Sequence, residues 1–474
     1  MTTLRVLGAA LAAALLTAGC SLATVGDVPV EGETGSWFTV GTPLLNGDGT
    51  AMVFTRLGPV LPPPTWPGPP TQVFLRNLTT EHTTMVSVDA SGTALPGGAS
   101  QNGIDAAGDR VLFTTYAPAI PDDTNGNSDL YVRDVTAGTT TLATVDPAGH
   151  PFRGGAFGVA GGTISRDGNR VAFAYLDILE PDHAYVRDLE AGTTTDLGVT
   201  DAQFVHMSGD GNHFVVYPKG PADYSAAPVF IDPAGSTLAK RAFCAGVSAR
   251  PLSDDGRIML VSIFSAATCP GITGLQIWDR VADTLTPIVP NAPTTDPNKF
   301  YVSGSDATGR FIGITDGTVG PAQIRVLDRT TGTTRVVSTG PHGEPADGPS
   351  AGGSISRDGR RIAFWSTATN LVDPAATTGH AYVKDVAEPK LTSVTPNSLP
   401  RGTSRTVTLK GSGFDQPLAA IVFDGVTVSG LHRVDEHTIT ATLSATVGAP
   451  PGARDVWLLQ GSSRAFCGGC LTLT

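Results

Sequence analysis

The fold is decided by the stretch at residues 165–195, SRDGNRVAFAYLDILEPDHAYVRDLEAGTTT. It begins with a Ser-x-Asp-Gly turn, continues into the apolar run Val171-Ala172-Phe173, and reaches a second extended segment at Tyr185-Val186-Arg187-Asp188. A turn that contains Gly192 follows. Such turns between short runs of β-branched and aromatic residues are typical of antiparallel hairpins, because glycine adopts positive φ without steric cost. The stretch therefore predicts consecutive antiparallel strands.

The same pattern of turn and strand occurs six more times, with turn glycines 43 to 60 residues apart along the chain. These copies begin at the turns that contain Gly49, Gly108, Gly211, Gly256, Gly309 and Gly359. A four-stranded unit of this length cannot bury both of its faces alone, whereas radial packing covers each sheet with its neighbours. We therefore predict an all-β chain whose main domain is a seven-bladed β-propeller of four-stranded antiparallel blades.

The repeating unit resembles that of the TolB-like, WD-repeat-like propeller family, and we place the propeller at residues 34–387. The resemblance implies the fold and little about function, since such propellers serve as scaffolds, binding modules and occasionally enzymes. The seventh unit has no fourth strand before Pro389. Residues 34–40 repeat the turn and fourth strand of other units, so we expect them to complete the seventh blade and close the ring.

A different pattern begins at Pro389, with Leu391-Thr392-Ser393-Val394-Thr395-Pro396 and then Val407-Thr408-Leu409-Lys410-Gly411-Ser412-Gly413-Phe414. It resembles the IPT/TIG family of immunoglobulin-like domains. Residues 389–474 are therefore predicted to form a β-sandwich, which agrees with alternating strands and frequent turns. Domains of this kind are usually spacers or protein-contact modules, and no active residue is carried over from the resemblance.

The N-terminus predicts export. Arg5 precedes an apolar run that is short for a transmembrane helix but suits a secretory signal. The run ends in Leu16-Thr17-Ala18-Gly19-Cys20, which resembles the bacterial lipobox except at Thr17, where leucine is more usual. The resemblance implies a lipoprotein signal peptide at residues 1–19, lipidation of Cys20, a tether at 20–33 and a lipid-anchored protein at the cell membrane or cell surface. An ordinary signal peptide or an uncleaved anchor is the alternative.

The other four cysteines are an even number in a chain with an export signal, which favours two disulfides. Cys244 and Cys269 lie in adjoining units, and Cys467 and Cys470 are separated by two glycines. The second pair has the spacing of a redox motif but lacks a thioredoxin-like sequence context. We therefore predict structural disulfides within both pairs.

Candidate ligand-binding residues are few. Asp123, Asn125 and Asp129 offer oxygen atoms at alternating positions around a glycine, which makes calcium the one cofactor that the sequence suggests. An Asx-rich turn explains the same residues without a metal. Trp66, in a proline-rich loop of the first unit, is a candidate for partner contact, and a clamp over one end of the channel is the simpler alternative for this loop.

Composition and motifs narrow the function. The formal net charge of −12 argues against a nucleic-acid groove. Ser350 stands in a Gly-x-Ser-x-Gly pattern but has no strand-to-helix context, so no catalytic residue is assigned. We predict a binding or scaffold module for protein, peptide or glycan, which acts through the end of the propeller that carries the long connections. The alternatives are a hydrolase or lyase in the propeller funnel, or a purely structural envelope organiser.

Overall fold

The computed structural model describes residues 23–24, 38–57, 71–152, 156–177, 181–219, 228–231, 247–263, 274–288, 300–340, 344–371, 380–386, 390–412, 414, 418–422, 424–435, 437–460 and 463–474. These residues belong to two compact units, Ala23–Lys384 and Asp385–Thr474. Every regular element in the described ranges is a β-strand. No helix in these ranges is long and apolar enough to cross a bilayer.

In the residues that the structure describes, the first unit consists of seven small antiparallel sheets. Each strand pairs with the next along the chain, except at the strand that closes the seventh sheet. We number these sheets as blades 1 to 7. The strands are Phe38–Leu45, Ala51–Leu57, Thr71–Asn77 and Thr83–Met85 in blade 1; Ala99–Ile104, Arg110–Thr115, Asp129–Asp134 and Thr139–Leu142 in blade 2; Ala156–Ile164, Arg170–Asp177, His183–Asp188 and Thr193–Thr200 in blade 3; Ala202–Met207, Phe214–Pro218 and Val229–Ile231 in blade 4; Val247–Pro251, Ile258–Ile263, Gly274–Asp279 and Thr284–Pro287 in blade 5; Phe300–Ser305, Phe311–Asp316, Gln323–Asp328 and Thr333–Val336 in blade 6; and Ser350–Ile355, Arg361–Ser366 and His380–Asp385 in blade 7.

The fourth strand of blade 7 comes from the N-terminus, as predicted, but from a different segment. Ala23 and Thr24 pair antiparallel with Val383 and Tyr382. The prediction that residues 34–40 close the ring is wrong, because Phe38–Leu45 is the first strand of blade 1. Residues of the predicted tether therefore belong to the propeller sheet.

The core of the propeller lies between the faces of neighbouring blades. Phe54 and Phe74 of blade 1, for example, pack with Ala363 and Ala381 of blade 7, and all four side chains are fully buried. Similar clusters join blades 1 and 2, 2 and 3, 3 and 4, 4 and 5, and 5 and 6. Blades 1 to 5 thus each bury both faces against their neighbours, which is the solution that a repeated four-stranded unit requires.

The second unit is a sandwich of two sheets around its own apolar core. One sheet has the order Lys390–Thr395, Ser404–Ser412, Thr438–Ala445 and Val426–Asp435, and the other has the order Ser398–Leu399, Ser463–Leu473, Gly452–Gln460 and Leu418–Val422. Leu409, Ile439 and Leu443 of the first sheet share this core with Leu458 and Leu471 of the second. The alternation of buried and exposed residues along these strands agrees with an immunoglobulin-like sandwich.

Candidate functional site: the two ends of the propeller

The turns between the first and second strands meet at one end of the propeller, in a closed ring of backbone hydrogen bonds. In each blade an amide of this turn donates to a carbonyl of the same turn in the next blade, at 2.7 to 3.1 Å. The seven donor and acceptor pairs are Gly47 to Ala106, Ala106 to Arg166, Arg166 to Gly209, Asp210 to Asp254, Asp254 to Ala307, Ala307 to Arg357, and Asp358 to Gly47. We call this end the short-turn end.

Three charged side chains meet within this ring. Arg166 of blade 3 and Arg357 of blade 7 both form ion pairs with the carboxylate of Asp254 of blade 5. Blade 4 has a glycine at the equivalent position, and a Cβ on Gly209 would overlap the side chains of Arg357 and Asp254. The ion pairs therefore connect alternate blades across the ring and occupy its centre.

The sequence motifs that reveal the repeat are structural. In blade 3, Ser165 Oγ donates to Asp167 and accepts the amide of Arg170, so that the two side chains hold the Asp-Gly turn in shape. The Arg170 guanidinium then reaches Asp188, the aspartate of the Tyr-Val-x-Asp motif, which also accepts the amide of Ala191 in the next turn. Blade 2 has the same pair, Arg110–Asp134, whereas in blades 5 and 6 the arginine comes one residue earlier in the turn, as Arg257–Asp279 and Arg310–Asp328.

A second group of ionisable side chains lies deeper, on the first strands of blades 4 and 5. Arg250 of blade 5 donates through Nη2 to the carbonyl of Val302 in blade 6, and its charge acts on His206 of blade 4. Burial and this positive charge lower the pKa of His206 to about 4. The His206 ring packs edge-on against Tyr217, at 5.8 Å between centroids, and burial raises the pKa of that phenol. The group therefore holds a neutral histidine beside a half-buried guanidinium.

The opposite end carries the connections between the second and third strands and between blades, and we call it the long-loop end. Two of its described connections expose apolar side chains, Tyr116 in blade 2 at 67% and Val319 in blade 6 at 86%. The short-turn end exposes Val281, also at 67%, in the turn between the third and fourth strands of blade 5. The partner-contact candidate Trp66 lies outside the described residues.

The predicted calcium ligands lie close together: Asp123 and Asn125 are in the connection before the third strand of blade 2, and Asp129 is the first residue of that strand. Asp123 accepts a hydrogen bond from the Tyr131 hydroxyl, and Asp129 Oδ1 accepts one from Thr144 Oγ1 at 2.5 Å. Asp129 is completely buried, and burial, with a smaller effect from the negative charge of Asp123, raises its pKa to about 6. In the described part of the chain, no three side chains of His, Cys, Asp or Glu converge as metal ligands would.

The other predicted site residues are cysteines. Cys467 and Cys470 form a disulfide in the last strand, with Cα atoms 5.6 Å apart. Cys20, Cys244 and Cys269 lie outside the described residues. Ser350, from the Gly-x-Ser-x-Gly pattern, is completely buried in the first strand of blade 7 and hydrogen-bonds Ser366 Oγ at 2.9 Å.

Sequence reasoning missed both charged groups in the centre of the propeller. A signal for the first was available in the aligned turns, because the position that enters the ring is glycine or alanine in four blades but Arg166, Asp254 and Arg357 in the other three. The equivalent turn positions of all blades converge on one ring, so opposite charges at this position of the repeat indicate ion pairs across the ring. No comparable pattern in the sequence points to Arg250.

Comparison with protein families matches residues 389–474 to the IPT/TIG domain. The C-terminal unit has an IPT/TIG-like fold. No curated protein matches the chain.

Solved structures resemble the propeller at low identity. The β-propeller domain of the trilobed protease from Pyrococcus furiosus has 11% identity and a TM-score of 0.47, over 74% of this chain and 96% of that one. TolB from Acinetobacter baumannii has 12% identity and a TM-score of 0.37, over 68% and 78%. An oligogalacturonate lyase from Vibrio parahaemolyticus has 13% and 0.46, over 76% and 93%. The propeller assignment itself rests on the seven blades and their closed ring of hydrogen bonds.

Proposed function

We propose that this protein is an exported, lipid-anchored cell-envelope protein that binds a protein, peptide or glycan partner through the long-loop end of its propeller. The sandwich, as an IPT/TIG-like module, would act as a spacer or a second contact domain. The membrane is then a partner through the lipid on Cys20 alone.

The observation that carries this proposal is the difference between the two ends. At the short-turn end, turns are tight, joined to one another by backbone hydrogen bonds, and crossed by the ion pairs of Asp254. This leaves few free backbone groups for a partner. The long-loop end has connections of varied length on a rigid frame and exposes Tyr116, an aromatic residue of the kind that dominates binding interfaces.

Site-specific cross-linking tests which end is used. A photoreactive phenylalanine analogue replaces Tyr116 in one protein and Val281 in another, because these positions are equally exposed and lie at opposite ends. After irradiation in native envelopes, we expect one discrete cross-linked partner from position 116 and none from position 281. Cross-linking from position 281 alone, or from neither position, contradicts the proposal.

The anchor is tested separately with a clickable fatty acid. We expect the wild-type protein to take up the label and to sediment with membranes, and we expect Cys20→Ala to lose both properties. Equal labelling of the two proteins would show that Cys20 is not lipidated, whatever the result of cross-linking.

A further inference from the structure

A buried polar bridge recurs at the start of the third strand in three blades, and in one of them it is incomplete. In blade 1, Gln72 Oε1 accepts a hydrogen bond from Ser87 Oγ, while its Nε2 donates to the Leu95 carbonyl at 2.9 Å. In blade 6, Gln323 makes the same two bonds, to Ser338 and to the Ala346 carbonyl, at 2.7 and 2.9 Å. Each glutamine thus joins two later segments of its blade through one acceptor and one donor.

Asp129 holds the equivalent position in blade 2, fifteen residues before its hydroxyl partner Thr144, as in the other two blades. Its Oδ1 accepts the Thr144 hydrogen bond, so the acceptor arm is preserved. The second arm, which is an N–H donor in both glutamines, is here a carboxylate oxygen. That atom, Asp129 Oδ2, is completely buried and makes no hydrogen bond of regular geometry, although the Asn125 side chain lies near enough to Asp129 to oppose the rise in its pKa.

The carbonyl that would complete the bridge is bonded elsewhere. Phe152 is the equivalent of Leu95 and Ala346. In each of the three blades an isolated β-bridge closes the turn after the fourth strand, and this residue comes directly after the bridge. The Phe152 carbonyl accepts instead from Asn125 Nδ2, at 3.2 Å. Asn125 therefore takes over the donor role of the glutamine, and the buried carboxylate of Asp129 lies beside it.

A second buried carboxylate adds to this excess of negative charge. Asp123 is 6% exposed, and its charge acts on Asp129. An unpartnered buried carboxylate oxygen is costly, and a second carboxylate nearby increases the cost unless a positive charge lies between them. Two carboxylates with neutral amide oxygens around them match the oxygen ligands that calcium prefers, and lack the thiolates and imidazoles that zinc prefers.

We propose that the loop of residues 123–129 binds a calcium ion, with Asp129 Oδ2 and the Asp123 carboxylate as its charged ligands and neutral oxygens of the loop completing the shell. The ion would connect the loop to the third strand of blade 2, as the glutamine amide connects the corresponding segments in blades 1 and 6. Asn125 contributes by holding the loop to Phe152.

Terbium luminescence tests the site, because the Tyr131 hydroxyl bonded to Asp123 would transfer its excitation to a lanthanide bound there. The full-length protein in detergent is titrated with terbium under tyrosine excitation, and then with calcium. We expect sensitised emission that saturates at one ion per chain and is displaced by calcium at micromolar to millimolar concentration, the range of such sites.

The test variant is Asp129→Gln, which copies Gln72 and Gln323 and therefore should fold. It should lose the emission, whereas Asp146→Asn should keep it, since Asp146 caps an ordinary turn of the same blade through the amides of Ala148 and His150. Equal emission from wild type and Asp129→Gln overturns the proposal. So does wild-type protein with no emission and no heat on addition of calcium up to about 10 mM.

Discussion

Acid should weaken the propeller through His206. The pKa of this histidine is about 4 in the folded protein and 6.5 as its ordinary value, because burial and the Arg250 guanidinium oppose its positive charge. Between these values the unfolded chain binds more protons than the folded one, so stability rises with pH across this window. The part of the unfolding free energy that depends on neutral His206 is fully present above about pH 6.5 and is lost as the pH falls toward 4.

The size of this loss follows from the pKa difference. At about 1.4 kcal/mol per unit, going from about pH 7.5 to about pH 4.5 should remove roughly 2 to 3 kcal/mol of unfolding free energy. Carboxylates also titrate in this range, so the relevant quantity is the difference between the wild type and His206→Gln, measured by urea unfolding at both pH values. His150→Gln is the control, because the His150 side chain is 64% exposed.

Between the two pH values, we expect the wild type to lose about 2 to 3 kcal/mol more unfolding free energy than His206→Gln loses. The stability gap between wild type and His150→Gln should stay constant within about 0.5 kcal/mol. A His206→Gln protein that loses as much stability as the wild type between the two pH values would refute the reasoning, because it would show that His206 does not carry the acid sensitivity.

Other predictions concern closure of the ring and its turns. Asp254→Asn leaves two arginines facing each other at the short-turn end and should cost about 1 to 3 kcal/mol in urea unfolding, less than a fully buried pair because one arginine is 46% exposed. Gly168→Ala should cost at least about 1 kcal/mol more than Gly192→Ala, since both glycines have φ near +70° but only a Cβ on Gly168 meets a side chain, at 2.7 Å. Deletion of residues 21–30 should lower the melting temperature by removing the Ala23–Thr24 pairing; an unchanged melting temperature would show that this strand adds no stability.

The sequence allowed the number of blades and their strand order to be predicted, for a reason that the structure explains. The motif residues form the turns with their own side chains, as Ser165, Asp167 and Asp188 do in blade 3. The same residue types are therefore needed wherever the same turn occurs. Because local hydrogen bonding fixes these residues, their spacing reports the repeat directly. The C-terminal sandwich was predictable for a similar reason, from its alternating strands.

The closing strand was misplaced because a strand of two residues has no pattern of its own. Residues 34–40 have the composition of a fourth strand, but Phe38, Thr39 and Val40 serve equally well in a first strand, and they pair with Leu57, Arg56 and Thr55. Local propensity cannot distinguish these positions, since the choice depends on which neighbour lies alongside.

The charged groups in the interior were unpredictable for another physical reason. Asp254 and its two arginines are far apart in sequence and meet only because the ring brings their blades together. Arg250 and His206 are each the single ionisable residue of their strand. The sequence allowed the long-loop end to be predicted, whereas the exposure of Tyr116 at that end is known only from the structure.

The most direct test of the central claim, that recognition occurs at the long-loop end, is hydrogen–deuterium exchange of the protein with and without its cross-linked partner. Protection should appear in peptides that contain the connections around Tyr116 and Val319, while peptides that contain the turns of Asp167 and Asp358 should exchange as in the free protein. Protection confined to those turns would contradict the account and place binding at the short-turn end.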